Sequence, residues 1–587
     1  METPNRVALD RMKPDWFELN LECLKRIYPG VEAPLRNTVS YSNFPPLESS
    51  ISTLSRTAWD PRAELHVLDR FAGSGLAFAL FDRIQQMDLL ERRGRRLLLI
   101  EDRPDWLRAE FSRADWRPLI QSENCLFVFD FPRGDELLRF LERYPEIAHA
   151  EMAFYSGEAG ASPERSQKLR VLFKFCREGI ARYIETICRE QQGIKSPPYP
   201  RTIRFPVAGH NYLQDACVKA LRRLGYGAER WQWKNPLYRF VRPVAWVHEW
   251  KNMPVDLLFY LNSTPVTFTG GTDILRFPWE QLAWFVDNPR RYVFRPSDLA
   301  GCDVVGVFDR AYIPYLRTLT DAPVIEVRTG YGIDPGQARL DPAFSEIDIA
   351  FVGELGARGY VSLERTLAEW RPEWFAAAGE VLRHTDISQP VDLAIHADER
   401  FAQAGANYQG ALVDYLENKA TALRRRHYLE ALLDQGLRIF GDNDWADPAH
   451  AGQLGACYGG RRLDYATELP ALYASAKINI NIFHAQCLTA PNPRVYDVLA
   501  AGGFLMTTVN SGLEDEFVDG RDLVVFRTRE ELRERAAYYL AHPRERRAVA
   551  ESGRERTLAS HGYHDRMQRF LWALGSKAGE AHVYLCQ

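Results

Sequence analysis

Short β-branched or apolar runs recur along the chain, each followed by a glycine-containing turn and then by apolar residues at helical spacing. That alternation is how βαβ units read, because strands covered on both faces become nearly continuous apolar runs. It comes in three blocks. In the first, 64–69 (ELHVLD) and 96–101 (RLLLIE) predict strands around the turn 71–75 (FAGSG) and a helix over 76–90. A third strand follows at 125–130 (CLFVFD), then a long helix is predicted through 165–192. The run 195–200 (KSPPYP) cannot continue that helix and reads as a linker.

The second block opens with 202–208 (TIRFPVA), the turn Gly209-His210-Asn211 and a helix over 215–224; strands are predicted at 255–261, 281–286, 302–308 and 323–327. Their polar ends place Asn262, Asp287, Asn288 and Asp309 along one edge, the edge at which open parallel sheets take ligands. Residues 330–347, rich in glycine, proline and acids, read as the next linker. The third block has strands at 348–353, 437–440, 478–482, 504–508 and 522–526, with helices across 362–383, 410–434, 529–540 and 543–559. No short-period repeat is present, so the expectation is an α/β protein of three Rossmann-like domains rather than a solenoid. The expected boundaries are 1–195, 200–340 and 345–565, with a tail at 566–587.

Composition narrows the function classes. With 46% apolar and 26% charged residues in 587, the chain has the makings of several packed cores and is not of the disordered class. Lys+Arg number 74 and Asp+Glu 78, a balance of −4 with neither sign gathered into a block, so no field favours nucleic acid or an anionic membrane. Nine cysteines without a C-x-x-C pair do not make a disulfide framework, which suits a reducing cytoplasm. The first residues, METPNRVALDRMKPDW, lack the apolar core of a signal peptide, and no stretch reaches the ~18 apolar residues of a membrane span.

The most informative stretch is 491–503, PNPRVYDVLAAGG. Pro491 and Pro493 bring the chain to a helix start, and Arg494 and Asp497 share one face while Val495, Val498 and Leu499 turn inward. Free N–H groups with an arginine make a diphosphate site, and an acid one turn on can accept from ribose hydroxyls. The same pattern also suits an ordinary proline-initiated helix with a surface Arg–Asp pair worth under about 1 kcal/mol. The loop 353–359 (GELGARG) follows a strand, so its amides, with Gly353 at its start and Arg358 in support, suit a phosphate. Lys477 is a further cation for the diphosphate, or else a side chain that snorkels from a buried strand. Near the start, Gly73, Gly75 and Glu101 form a partial dinucleotide or S-adenosylmethionine pattern with two of its three glycines. Histidines show no metal-ligand spacing, and Asp442 and Asp444 in GDNDW lack the strand context of a metal-binding D-x-D.

Residues 426–564 resemble the C-terminal half of the CgeB-type, spore-maturation-like glycosyltransferases, which have the GT-B fold of two facing Rossmann domains. The resemblance rests on five ordered blocks: 426–432 (RHYLEAL), 441–445 (GDNDW), 472–481 (LYASAKININ), 492–503 (NPRVYDVLAAGG) and 542–546 (HPRER). With 284–289 (WFVDNP) in the second block, it spans about residues 200–565. It implies a nucleotide-diphosphate sugar donor held by Gly353, Arg358, Lys477, Asn492, Arg494, Asp497, Gly502 and Gly503, with no cofactor and no bound metal required. Asp497 stands where the family has a ribose-binding glutamate, and the family's second acid falls on Thr489. The acceptor half implies a base at His210, with Asp287 as rival, flanked by Asn211 and Asn288. An unperturbed imidazole, with a pKa of about 6.5, takes a hydroxyl proton near neutral pH; the other reading is a histidine that caps the helix. The N-terminal block resembles the Rossmann-like domain of motility accessory factor proteins, which implies a bacterial protein acceptor such as flagellin, or a surface glycan. Two alternatives stay open: a methyltransferase centred on Gly73, Gly75 and Glu101, and a non-catalytic glycan- or protein-binding GT-B scaffold, which Thr489 favours.

Overall fold

The computed structural model describes residues 15–27, 32–38, 63, 65–71, 76–91, 95–122, 124–130, 136–143, 152–156, 165, 167–176, 178, 182, 202–207, 212–232, 255–265, 280–293, 295–386 and 406–577. The expected elements Gly73, Gly75, His210, Asn211 and the linker 195–200 lie outside them.

Three parallel sheets carry the chain. The first contains β1 (Leu65–Asp69), β2 (Arg96–Glu101), β3 (Cys125–Phe129) and β4 (Met152–Ser156) in the order β3-β2-β1-β4. Helix α1 (Leu76–Glu91) makes the crossover from β1 to β2, and all five residues of β1 and of β3 are buried, as strands covered on both faces must be. The second sheet contains β5 (Thr202–Val207), β6 (Gly227–Gln232), β7 (Leu257–Leu261), β8 (Glu280–Phe285), β9 (Val304–Val307) and β10 (Val324–Glu326), ordered β10-β9-β8-β7-β5-β6. Helix α2 (Tyr212–Arg223) joins β5 to β6. The third contains β11 (Ile349–Val352), β12 (Leu437–Phe440), β13 (Ile478–Asn481), β14 (Leu505–Thr508) and β15 (Val524–Phe526), ordered β12-β11-β13-β14-β15, and α3 (Ala357–Trp370) follows β11.

Two strands escape the apolar pattern, β4 and β6, and both lie at a sheet edge. In β6 the polar Glu229 pairs with Arg204 of the neighbouring β5, so its sequence lacks the apolar run of an inner strand.

The chain divides into two compact units, with the first sheet in one and the second and third sheets together in the other. Within this larger unit residues 566–577 do not form the expected tail. They belong to α6 (Tyr563–Lys577), which returns to the second sheet and buries Met567, Phe570, Leu571 and Leu574. The Phe570 ring stands 5.2 Å from Phe259 and 5.4 Å from Trp284, over Gly306 of β9, where a side chain would overlap it. Each such buried side chain contributes about 1.5–3 kcal/mol. Among the described residues no helix is long and apolar enough to cross a membrane.

Candidate functional site

The C-terminal edge of the third sheet gathers positive charge. Helix α5 (Pro493–Ala500) starts with proline in its first turn, where a missing N–H costs nothing, and presents Arg494 at that end. Arg494 Nη1 donates to Asn481 Oδ1 at 2.9 Å, and Asn492 Nδ2 donates to the same oxygen at 3.1 Å, so the end of β13 fixes both side chains. Helix α4 (Ala406–Leu429) brings a second guanidinium to the same place: Arg425, 8% exposed, donates Nη1 to the Glu354 carbonyl. The two guanidinium carbons lie 5.8 Å and 5.7 Å from the centroid of the buried Phe351 ring. Burial, with the charge of Arg494 beside it, pulls Arg425 down to about 9. Among the described residues neither arginine has a carboxylate within ion-pair distance; Glu354 and Asp442 act on Arg425, and Asp497 on Arg494, only from further off. Gly353 belongs to it sterically, since a Cβ there would run into Phe351 and stand 3.4 Å from Arg494 Nη2.

Arg425 is the residue that sequence reasoning missed. It lies in the run Arg424-Arg425-Arg426, immediately before the block that carried the resemblance. A basic triplet on a helix reads as a solvated face, yet Arg424 and Arg425 are both buried.

Several expected donor contacts sit elsewhere. Three amides of the loop 353–359 are already occupied, Leu355 and Gly356 N–H donating to the two oxygens of Asp442 at 2.8 Å and Arg358 N–H to Asp444 at 2.8 Å. The Arg358 side chain pairs with Asp444 and is 78% exposed, so this loop is closed by the chain's own carboxylates instead of standing open to phosphate. Lys477 precedes β13 and pairs with Asp348, at the opposite edge of the sheet, a four-residue strand or about 13 Å from Asn481. Gly502 and Gly503 lie past the far end of α5. Gly502, at φ +81°, donates to the Leu499 carbonyl and Gly503 to that of Val498, a helix-terminating turn that places both glycines one helix length from Arg494.

Asp497 faces inward and is 2% exposed. Its Oδ1 accepts from the Gly332 amide at 2.8 Å and its Oδ2 from the Tyr465 hydroxyl at 2.9 Å, so it ties the segment between the second and third sheets to α5. Burial lifts its carboxyl to about 6 in spite of these donors. Tyr465 in turn stacks on Tyr212, the first residue of α2, with ring centroids 4.1 Å apart. This aromatic pair, one ring from each sheet's side of the unit, left no trace in the sequence pattern.

On the second sheet's edge, Asp287 accepts from Asn262 Nδ2 at 2.6 Å and from Gln486 Nε2 at 2.7 Å. Asn288 is fully buried and donates to Glu417 at 2.7 Å, and Glu417 also pairs with Arg291. Both residues thus join the second sheet to α4 and to the segment after β13. Thr489 meets Asp309, whose Oδ1 accepts its hydroxyl. In the N-terminal unit, Glu101 is fully buried with both oxygens on Arg103, and Oε1 also accepts the Asp102 and Arg103 amides at 3.2 and 3.1 Å. Among the described residues no group of three or more His, Cys, Asp or Glu is placed to hold a metal ion.

Comparison with known proteins adds three findings. No curated protein matches the chain. Among solved structures, the chain is similar to sucrose-phosphate synthase from Thermosynechococcus elongatus at 11% identity and a TM-score of 0.41, over 65% of this chain and 99% of that one. It is similar to Anabaena HepE in complex with UDP and glucose at 10% identity and a TM-score of 0.38, over 64% and 99%, and to WaaG, a glycosyltransferase involved in lipopolysaccharide biosynthesis, at 14% and 0.35, over 63% and 98%. Residues 424–572 match a family model described as glycosyl transferase-like, and that segment contains Arg425, Asn481, Asn492, Arg494 and Asp497.

Proposed function

We propose that the chain is a glycosyltransferase that moves a sugar from a nucleotide-diphosphate sugar to an acceptor hydroxyl, with the diphosphate held by Arg425 and Arg494. The observation that carries the reading is the pair of neighbouring guanidiniums, Arg425 buried and Arg494 half-buried, without a carboxylate at ion-pair distance among the described residues, inside the segment that matches the glycosyl transferase-like model. Such a pair favours an anion beside it, and a diphosphate offers negative oxygens that two guanidiniums can share.

The chemistry follows from that charge. As the bond between the anomeric carbon and the diphosphate oxygen breaks, negative charge grows on the leaving group, and fixed cations stabilise the transition state more than the ground state. Two guanidiniums supply compensation that a divalent ion would otherwise give, so turnover is expected to persist in EDTA. His210 is proposed to take the acceptor proton. Asp287 is the weaker candidate, since its oxygens already hold Asn262 and Gln486. Asn492 and Asp497 line the donor side, Asp497 through Tyr465. The acceptor is proposed to be a protein such as flagellin or a surface glycan, met in a bacterial cytoplasm.

The engagement of both Glu101 oxygens by Arg103 speaks against a methyltransferase centred on that acid. A non-catalytic binding role keeps one observation in its favour, the Thr489 hydroxyl turned to Asp309 where the resembling family has an acid. A thermal-shift screen of nucleoside diphosphates and S-adenosylmethionine tests the binding step, because saturation a hundredfold above Kd adds about 2.7 kcal/mol to stability. Mass spectrometry of products from mixed nucleotide sugars and candidate acceptors tests turnover. Stabilisation by S-adenosylmethionine alone overturns the reading, and diphosphate binding without any product favours the binding role.

A further inference from the structure

Between the end of β13 and the start of α5 the chain runs across the C-terminal edge of the second sheet, and that sheet holds it almost residue by residue. Gln486 donates Nε2 to Asp287 and accepts the Asn288 amide at 3.2 Å on Oε1, while its carbonyl accepts the Tyr312 hydroxyl at 2.7 Å. Then Asp309 takes over. Its Oδ2 accepts three successive backbone N–H groups, from Leu488 at 2.8 Å, Thr489 at 2.7 Å and Ala490 at 3.0 Å. Its Oδ1 accepts the Thr489 hydroxyl and the Ala311 amide at 3.0 Å.

An ordinary helix-capping aspartate needs only the Ala311 bond. Here the carboxylate is fully buried and its second oxygen is spent on a segment about 180 residues away. Three convergent N–H groups form an anion-binding nest, and charge-assisted bonds of this kind are about twice as strong as neutral ones. The segment they fix runs directly into Asn492 and Arg494.

We propose that Asp309 is a positioning residue for the diphosphate site: from the second sheet it fixes residues 488–490, and through them the aim of Arg494, without itself touching the ligand. The inference rests on the reading of Arg425 and Arg494 as a diphosphate site. It follows that affinity for the diphosphate portion of the donor is set by a side chain of the opposite sheet.

The test is isothermal titration of the full chain with UDP, GDP, ADP and CDP, carrying forward the tightest of them and its parent nucleoside. The quantity read is the ratio of the two affinities, since general loosening of the fold lowers both, whereas a misaimed arginine lowers the diphosphate alone. Asp309→Ala is expected to reduce the ratio at least tenfold with nucleoside affinity unchanged. Asp309→Asn keeps one acceptor oxygen for the three amides and is expected to fall between. Tyr312→Phe, which removes the hydroxyl bonded to the Gln486 carbonyl, is a mild variant that keeps the test open if Asp309→Ala does not fold, with an expected fall of about threefold. Unchanged ratios in the folded variants, with Arg494→Ala losing the diphosphate preference, overturn the inference and leave the site reading intact. A wild-type chain that binds no diphosphate, or that binds it equally after Arg494→Ala, overturns the site reading and this inference with it.

Discussion

Replacing Arg425 by methionine is expected to stabilise the unliganded protein and weaken its hold on a nucleoside diphosphate. Arg425 is 8% exposed and sits beside Arg494, and burial together with that neighbouring charge pulls it from the usual range above 12 to about 9, so the fold disfavours its charge. A drop of about 3.5 powers of ten, at about 1.4 kcal/mol each, sets an upper figure of about 5 kcal/mol. Against it stands the loss of the bond to the Glu354 carbonyl, about 1.5–3 kcal/mol for a charged donor. Methionine fills most of the vacated length against Phe351 without a charge, so a net gain of about 2 kcal/mol remains, in line with buried charges replaced by apolar side chains elsewhere. Urea unfolding at pH 7.5, followed by fluorescence, reads the difference.

The pH dependence supplies an independent check. Because the folded value lies below the unfolded one, the unfolded chain holds a proton that the native protein has lost between about pH 9 and pH 12. Wild-type stability therefore gains from this group as pH rises past 9, and the advantage of Arg425→Met shrinks there. A variant destabilised by more than about 1 kcal/mol with undiminished diphosphate affinity refutes the argument, since it would make Arg425 a structural residue rather than a cation held in readiness.

Three other outcomes are expected. Asp497, lifted to about 6 by burial, keeps a proton in the folded state that the unfolded chain loses from about pH 4; stability should fall by about 3 kcal/mol as pH rises through pH 4–6, and Asp497→Asn should abolish that slope in melting curves. Glu417→Ala leaves Arg291, 10% exposed at its side chain, with Asp414 alone at 3.0 Å; a loss of about 3 kcal/mol is expected in urea unfolding, and a loss below about 1 would show the pair to be dispensable. Gly512→Ala would drive a Cβ into the Thr489 carbonyl, so a cost of about 1–3 kcal/mol together with weaker diphosphate binding is expected in thermal shift, and unchanged values would show that residues 488–490 move freely.

The strand-turn-helix rhythm was legible because inner parallel strands are buried on both faces, and 96–101 or 478–482 cannot be anything else without exposing that surface. The start of α5 was legible for a local reason as well: proline at its first position and the inward Val495, Val498 and Leu499 are spacing effects. Where reading failed, the cause was distance along the chain. Arg424-Arg425-Arg426 looks like a solvated face until Phe351, Glu354 and Phe483 close over two of its members. The glycines after α5 look like a ligand loop until the helix-terminating turn claims them.

By itself, then, the sequence determined that the chain builds parallel sheets, where their C-terminal edges fall, and that Arg494 stands at one of them. Only the tertiary structure decided which anion-binding amides remain open. Asp442 and Asp444 fill those of residues 355, 356 and 358, Asp497 those of 332 and 333, and Asp309 those of 488–490. Periodicity encodes which face of an element turns inward, but a hydrogen bond between residues 86 to 181 positions apart depends on where two elements meet, and no local pattern carries that information.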